Sequence, residues 1–199
     1  MSTTDPSMTN ALSRDALLDV VHRFYPVNLY STEPGYVESE QFQRLLARRE
    51  DVLEELGAQW HEFVGGVRAE LPDCKVLDMT YLRVDNCFRL RVYPPGTDRS
   101  TRHVKAAVAC LSIMAPGYII YSSYRENING EHTPARTFYN RMPDTEAYES
   151  VLESNIHSIF GFTRIPNEVL FTPVPDIQCF NVMLGKAMLA DCLFTDDRR

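Results

Sequence analysis

A chain of 199 residues, 44% hydrophobic, can build a self-sufficient core and reads as one compact unit. Its net charge of −7 excludes an electrostatic grip on nucleic-acid backbones and suits a basic partner. The five cysteines are odd in number and include no C-x-x-C pair, which argues against a disulfide framework or a zinc site. They read as reduced, buried thiols of a cytoplasmic protein. Seventeen of the twenty basic residues are Arg, whose planar forks grip carboxylates better than Lys does.

Residues 1–12 are small and polar and are expected to be disordered, leaving 13–199 as a single α+β domain. The stretch lacks the basic flank and apolar run of a signal peptide. Ser13 caps a helix through Tyr25, with Leu17, Val20, Val21 and Phe24 at helical spacing, and Pro26 ends it. Glu33-Pro34-Gly35 marks a turn. A helix from Ser39 to Leu56 carries Phe42, Leu45, Leu46, Val52, Leu53 and Leu56 on one side, with Arg44, Arg48, Arg49 and the glutamates on the other. Gly57 is expected to break it. A third helix follows over Ala58–Leu71, with Gly65-Gly66 marking a close approach to another element.

At Pro72-Asp73 the period changes from 3.6 to 2. A two-residue turn at Asp85-Asn86 pairs Val84 with Cys87, Tyr81 with Leu90 and Met79 with Val92. That register gathers Leu77, Met79, Tyr81, Phe88, Leu90 and Val92 on one face. It leaves Asp78, Thr80, Leu82, Arg89, Arg91 and Tyr93 on the other, so Arg83, Arg89, Arg91 and Asp78 read as a solvated charged surface.

The run Ala106–Tyr121 has sixteen residues without a charge, too short for a membrane span and divided by Pro116-Gly117. It reads as two strands, about His103–Met114 and Tyr118–Arg125. Turning at Pro116-Gly117 pairs Ile113 with Ile120 and Ala109 with Tyr124. Neither face is polar near the turn, so both must be covered. A short strand at Arg136–Asn140 and a helix from Pro143 to Phe160 follow, with Gly161 as its C′ residue. A proline-rich stretch then wraps the sheet, and 180–194 fits either a hairpin turned at Gly185 or one helix. The order is N-terminal helices, a central antiparallel four-stranded meander, a further helix and a C-terminal wrap, which is α+β.

No catalytic or metal-ligating pattern emerges. Cys110 lies in the most apolar strand and reads as a structural thiol; no serine sits in a G-x-S-x-G elbow. No cofactor, membrane or nucleic acid is implied. The small, acidic, cytoplasmic α+β plan and the ending ADCLFTDDRR resemble immunity proteins encoded beside polymorphic bacterial toxins. That resemblance implies a non-enzymatic protein that neutralises a cognate, basic toxin domain by forming a stoichiometric complex over its active site. On this reading Glu33, Glu38, Glu40, Asp196 and Asp197 are acidic contacts, with Tyr121 or Tyr124 as an anchor. The alternative is a small enzyme or small-molecule-binding protein with a pocket between the sheet and the C-terminal segment. Tyr121, Ser112, Ser123 and Arg125 would line that pocket.

Overall fold

The computed structural model describes residues 12–98, 100–128, 131–179 and 181–195. Helix α1 spans Arg14–Phe24. The Ser13 hydroxyl accepts from the Ala16 backbone N–H at 3.3 Å, as its capping position requires. The expected disordered stretch 1–12 lies outside the described residues except for Leu12, which is buried in the core. A single turn, α2 (Pro34–Glu38), leads into α3, which runs unbroken from Glu40 to Glu70.

The expected break at Gly57 does not occur. Val52, Leu56, Trp60, Phe63 and Val67 form one seam that stays in phase through the glycine. Burying that seam outweighs the roughly 1 kcal/mol that a helical Gly costs relative to Ala.

Four strands form the meander: β1 (Lys75–Asp78), β2 (Cys87–Tyr93), β3 (His103–Ser112) and β4 (Gly117–Ile128). Three short strands pair with β4. They are β5 (Glu131–His132), β6 (Arg136–Phe138) and the parallel β7 (Thr163–Arg164). Helix α4 (Glu146–Phe160) closes on Gly161 at φ 65°, a left-handed C-terminal stop. Two short helices, α5 (Asn167–Leu170) and α6 (Leu189–Leu193), sit within the C-terminal wrap. Among the described residues, no helix is long and apolar enough to cross a membrane.

The first hairpin departs from its expected register. Val76 faces Val92 and Asp78 faces Leu90, so the turn is not at Asp85-Asn86. Residues 79–86 form a loop instead. Phe88, Leu90 and Val92 do share the apolar face, but Arg89 and Arg91 lie on a covered face, each 7% exposed. Of the charged surface expected there, Arg89 and Arg91 are interior, whereas Asp78 and Arg83 are exposed. Asp85 is buried beside Arg89 and pairs with it, which is how a guanidinium stays inside.

The central hairpin keeps its expected faces but slips. Leu111 pairs with Tyr118 and Ala109 with Ile120, so the connecting loop is longer than Pro-Gly. An even slip leaves every side chain on its own face. Gly117 adopts no positive φ. Its role is closeness: a Cβ there would stand 2.9 Å from Ile165.

Both faces of this hairpin are covered, as its composition requires. On one side, α3 and α4 pack Trp60, Phe63, Leu152 and Ile156 over Phe88, Leu90, Leu111 and Ile120. On the other, α1 and the C-terminal wrap pack Leu17, Val21, Ile177, Leu193 and Phe194 over Val108, Cys110, Ile119 and Tyr121. The stretch 181–194 is neither hairpin nor single helix. Gly185 turns the chain at φ 86°, Val174 N–H donates to the Ala187 carbonyl at 2.8 Å, and α6 follows.

Candidate functional site

A cavity of about 420 Å³ lies where α2, the first turns of α3, the 79–86 loop and the C-terminal wrap converge. Phe42, Leu45 and Leu46 come from α3, Val84 from the loop and Phe194 from the wrap, so most of the wall is apolar. Val37 and Leu46, at 46% and 36% exposed, stand at its open side.

Several polar groups of the wall form a network centred on Asn86. The Asn86 amide nitrogen donates to the Cys192 carbonyl at 2.8 Å and to the Tyr25 hydroxyl, which itself donates to the same carbonyl at 3.2 Å. Its amide oxygen accepts from Arg49 Nε at 3.1 Å and Nη2 at 2.8 Å. The Asn86 backbone N–H donates to Phe194 at 2.7 Å, and its carbonyl accepts from Ile113 at 3.0 Å. Tyr36 donates to the Gln178 carbonyl at 2.7 Å. Burial pushes the Tyr25 and Tyr36 phenols above the usual tyrosine range, with the Cys179 and Cys192 thiols adding to it.

Arg49 is the chemically informative member. Its remaining bonds go to the Val84 carbonyl at 2.6 Å and the Arg83 carbonyl at 3.2 Å. Every acceptor is neutral, and among the described residues it forms no ion pair. Partial burial pulls its pKa below the usual Arg value, against the pull of Tyr25, Asp85 and Tyr36. Asp191 is the carboxylate among the described lining residues, and it accepts from the Met188 backbone N–H at 2.9 Å. Arg83 supplies a second cation to the wall.

The residues singled out from sequence do not form one surface. Glu33, Glu38 and Glu40 are exposed on and beside α2, next to the open side of the cavity. Glu33 also accepts from the Tyr30 backbone N–H at 2.8 Å. Tyr121 is 1% exposed, packed under the wrap with Tyr139, so it is no partner anchor. Tyr124 stands elsewhere on β4, bonded to His103 at 2.7 Å and Glu126 at 3.0 Å. Asp196 and Asp197 lie outside the described residues.

A pocket bounded by the C-terminal segment does exist, but Tyr121, Ser112, Ser123 and Arg125 do not line it. Its second wall is helical rather than the sheet face. Arg49, Asn86, Tyr25 and Tyr36 were missed as site residues. The spacing Phe42, Leu45, Val52, Leu56 takes in position 49, so Arg49 belongs to the apolar side of the helix rather than to the polar side expected for it.

No protein-family model matches the chain, and no curated protein or solved structure shows significant similarity to it.

Proposed function

We propose that this is a binding protein whose cavity takes a small ligand with an apolar body and one anionic end. The observation that carries this reading is Arg49, a partly buried guanidinium on an apolar wall, bonded to neutral acceptors alone. A guanidinium removed from water gains from a counter-charge, and its fork geometry suits a carboxylate. The volume accommodates a ligand of modest size, and an apolar wall with few polar groups is the usual build of such sites. Octanoate and 1-octanol test it by calorimetric titration. Octanoate is expected to bind at least about tenfold more tightly than the alcohol, a difference worth about 1.4 kcal/mol. Arg49→Met should abolish that preference. Equal binding of acid and alcohol, or binding of neither, overturns the reading.

The immunity reading has separate support. Tyr30, Val37, Leu46 and Leu53 are 51%, 46%, 36% and 55% exposed along α2, α3 and the turn before them. Glu33, Glu38 and Glu40 are exposed in the same stretch. Exposed apolar side chains rimmed by charge suit a protein partner, here a basic toxin domain met in the cytoplasm. Expressing the product of the neighbouring gene with and without this chain tests it. Growth rescue together with a stoichiometric complex supports it, and equal growth in both cases overturns it.

A further inference from the structure

The C-terminal wrap holds two cysteines in contact. Cys179 Sγ and Cys192 Sγ are 3.1 Å apart, and both thiols are free and buried. Cys179 precedes the Gly185 turn, and Cys192 lies in α6. They differ in access. Cys179 forms part of the cavity wall, whereas Cys192 is 0% exposed behind it.

We propose that Cys179 and Cys192 are a modification site: a dithiol that a peroxide entering the cavity converts to an intramolecular disulfide. The chemistry balances. The Cys179 sulfur attacks one oxygen of hydrogen peroxide and breaks the O–O bond, giving a sulfenic acid and one water. The Cys192 sulfur then displaces the hydroxyl, forming the S–S bond and releasing a second water. Two thiols are oxidised by two electrons and one peroxide is reduced. Burial, with Cys179 next in weight, pushes the Cys192 thiol well above its ordinary range, so Cys192 resolves and does not initiate. The sulfurs need only close from 3.1 Å to bonding distance, about 2.05 Å. The bond would cross-link two parts of the wrap, the segment before the Gly185 turn and α6, across the side that presents Cys179, Asp191 and Phe194 to the cavity. The site does not depend on what the cavity binds, so failure of the octanoate test leaves it standing.

The experiment treats the native full chain with hydrogen peroxide, blocks remaining thiols with iodoacetamide and maps tryptic peptides without reduction. Trypsin cuts after Arg164, Lys186 and Arg198, which puts the two cysteines on separate peptides, Ile165–Lys186 and Ala187–Arg198. The expected result is that linked pair, 2 Da lighter than the sum of the free peptides. A rise in Tm on the order of 5 °C, reversed by dithiothreitol, should accompany it. Cys192→Ala should leave Cys179 as a sulfenic acid that dimedone traps. Oxidation confined to the partly exposed Cys74, or a link between Cys87 and Cys110 instead, overturns the proposal. The peptide map of the unmodified sequence decides the matter even if the variant does not fold.

Discussion

At the scale of single residues, a few charged groups sit inside an otherwise apolar core. Arg89 and Asp85 pair inside, with Arg89 also donating to the Thr195 hydroxyl at 3.2 Å. Burial opposes the Arg89 charge, but the Cys110 and Cys87 thiols and Asp85 outweigh it and hold its pKa above the usual range. Removing one partner strands the other. Asp85→Ala is therefore expected to cost about 3–5 kcal/mol, read from urea unfolding followed by Trp60 fluorescence. The double replacement Asp85→Leu with Arg89→Met should recover most of that loss. A double variant as unstable as the single would show that the pair is worth more than its desolvation. Sequence alone could not place these charges, because alternation tells which residues share a face and not which face is wet. Arg89 and Arg91 were correctly grouped and wrongly exposed for that reason.

At the scale of elements, what could be read depended on whether a pattern was local. The Ser13 cap, the Pro26 stop, α4 and its Gly161 terminus follow from side chains within a turn of one another, and all are present. Strand register is set by loop length and by what covers each face, so both hairpins were paired incorrectly. An odd slip at the first hairpin changed which residues of β1 point inward. An even slip at the second preserved the faces and, with them, the conclusion that both are buried. The adjacent glycines of α3 offer a sharp test of contact at this scale. A Cβ on Gly65 meets nothing within 4 Å, whereas one on Gly66 would meet Asn155 Oδ1 at 2.8 Å. Gly65→Ala is expected to stabilise by about 0.5–1 kcal/mol from helix propensity. Gly66→Ala should gain nothing or lose stability, because α4 stands against it and Asn155 is committed to Glu70 and Val151. Thermal unfolding of the pair checks this, and equal gains at both sites would mean that α4 yields freely.

For the whole molecule, the consequence of burying phenols and thiols is alkaline sensitivity. The pKa values of Tyr25, Tyr36 and Tyr118 are raised, foremost by burial, with Glu153 adding to the shift at Tyr118. Those of Cys87 and Cys192 are raised in the same way. The unfolded chain gives up these protons from about pH 8.5 for thiols and about pH 10 for phenols, while the folded chain retains them. Their stabilising contribution is complete below that range and falls as pH rises through it. Urea midpoints are expected to decline steadily from about pH 9 to 11, with tyrosinate absorbance appearing together with unfolding. A flat profile would mean that water reaches these hydroxyls in the native state. The cavity itself was not readable from the sequence, since its walls come from four segments that no local period connects.

That convergence has a kinetic side. Asn86 bonds Tyr25 at the end of α1, Arg49 of α3 and Cys192 of the wrap across separations of 61, 37 and 106 residues, so none of these bonds forms until distant segments have arrived. Such contacts close late, after the sheet and the α3–α4 layer exist to receive them. A late contact weighs on the escape rate and hardly on the approach. Asn86→Ala should leave the folding arm of a chevron nearly unchanged and speed unfolding by roughly tenfold or more. Slowed folding instead would place this amide in the nucleus. Release of the wrap would limit the lifetime of the native state and the residence time of anything held in the cavity, with Asn86 holding it beside Tyr25 and Tyr36.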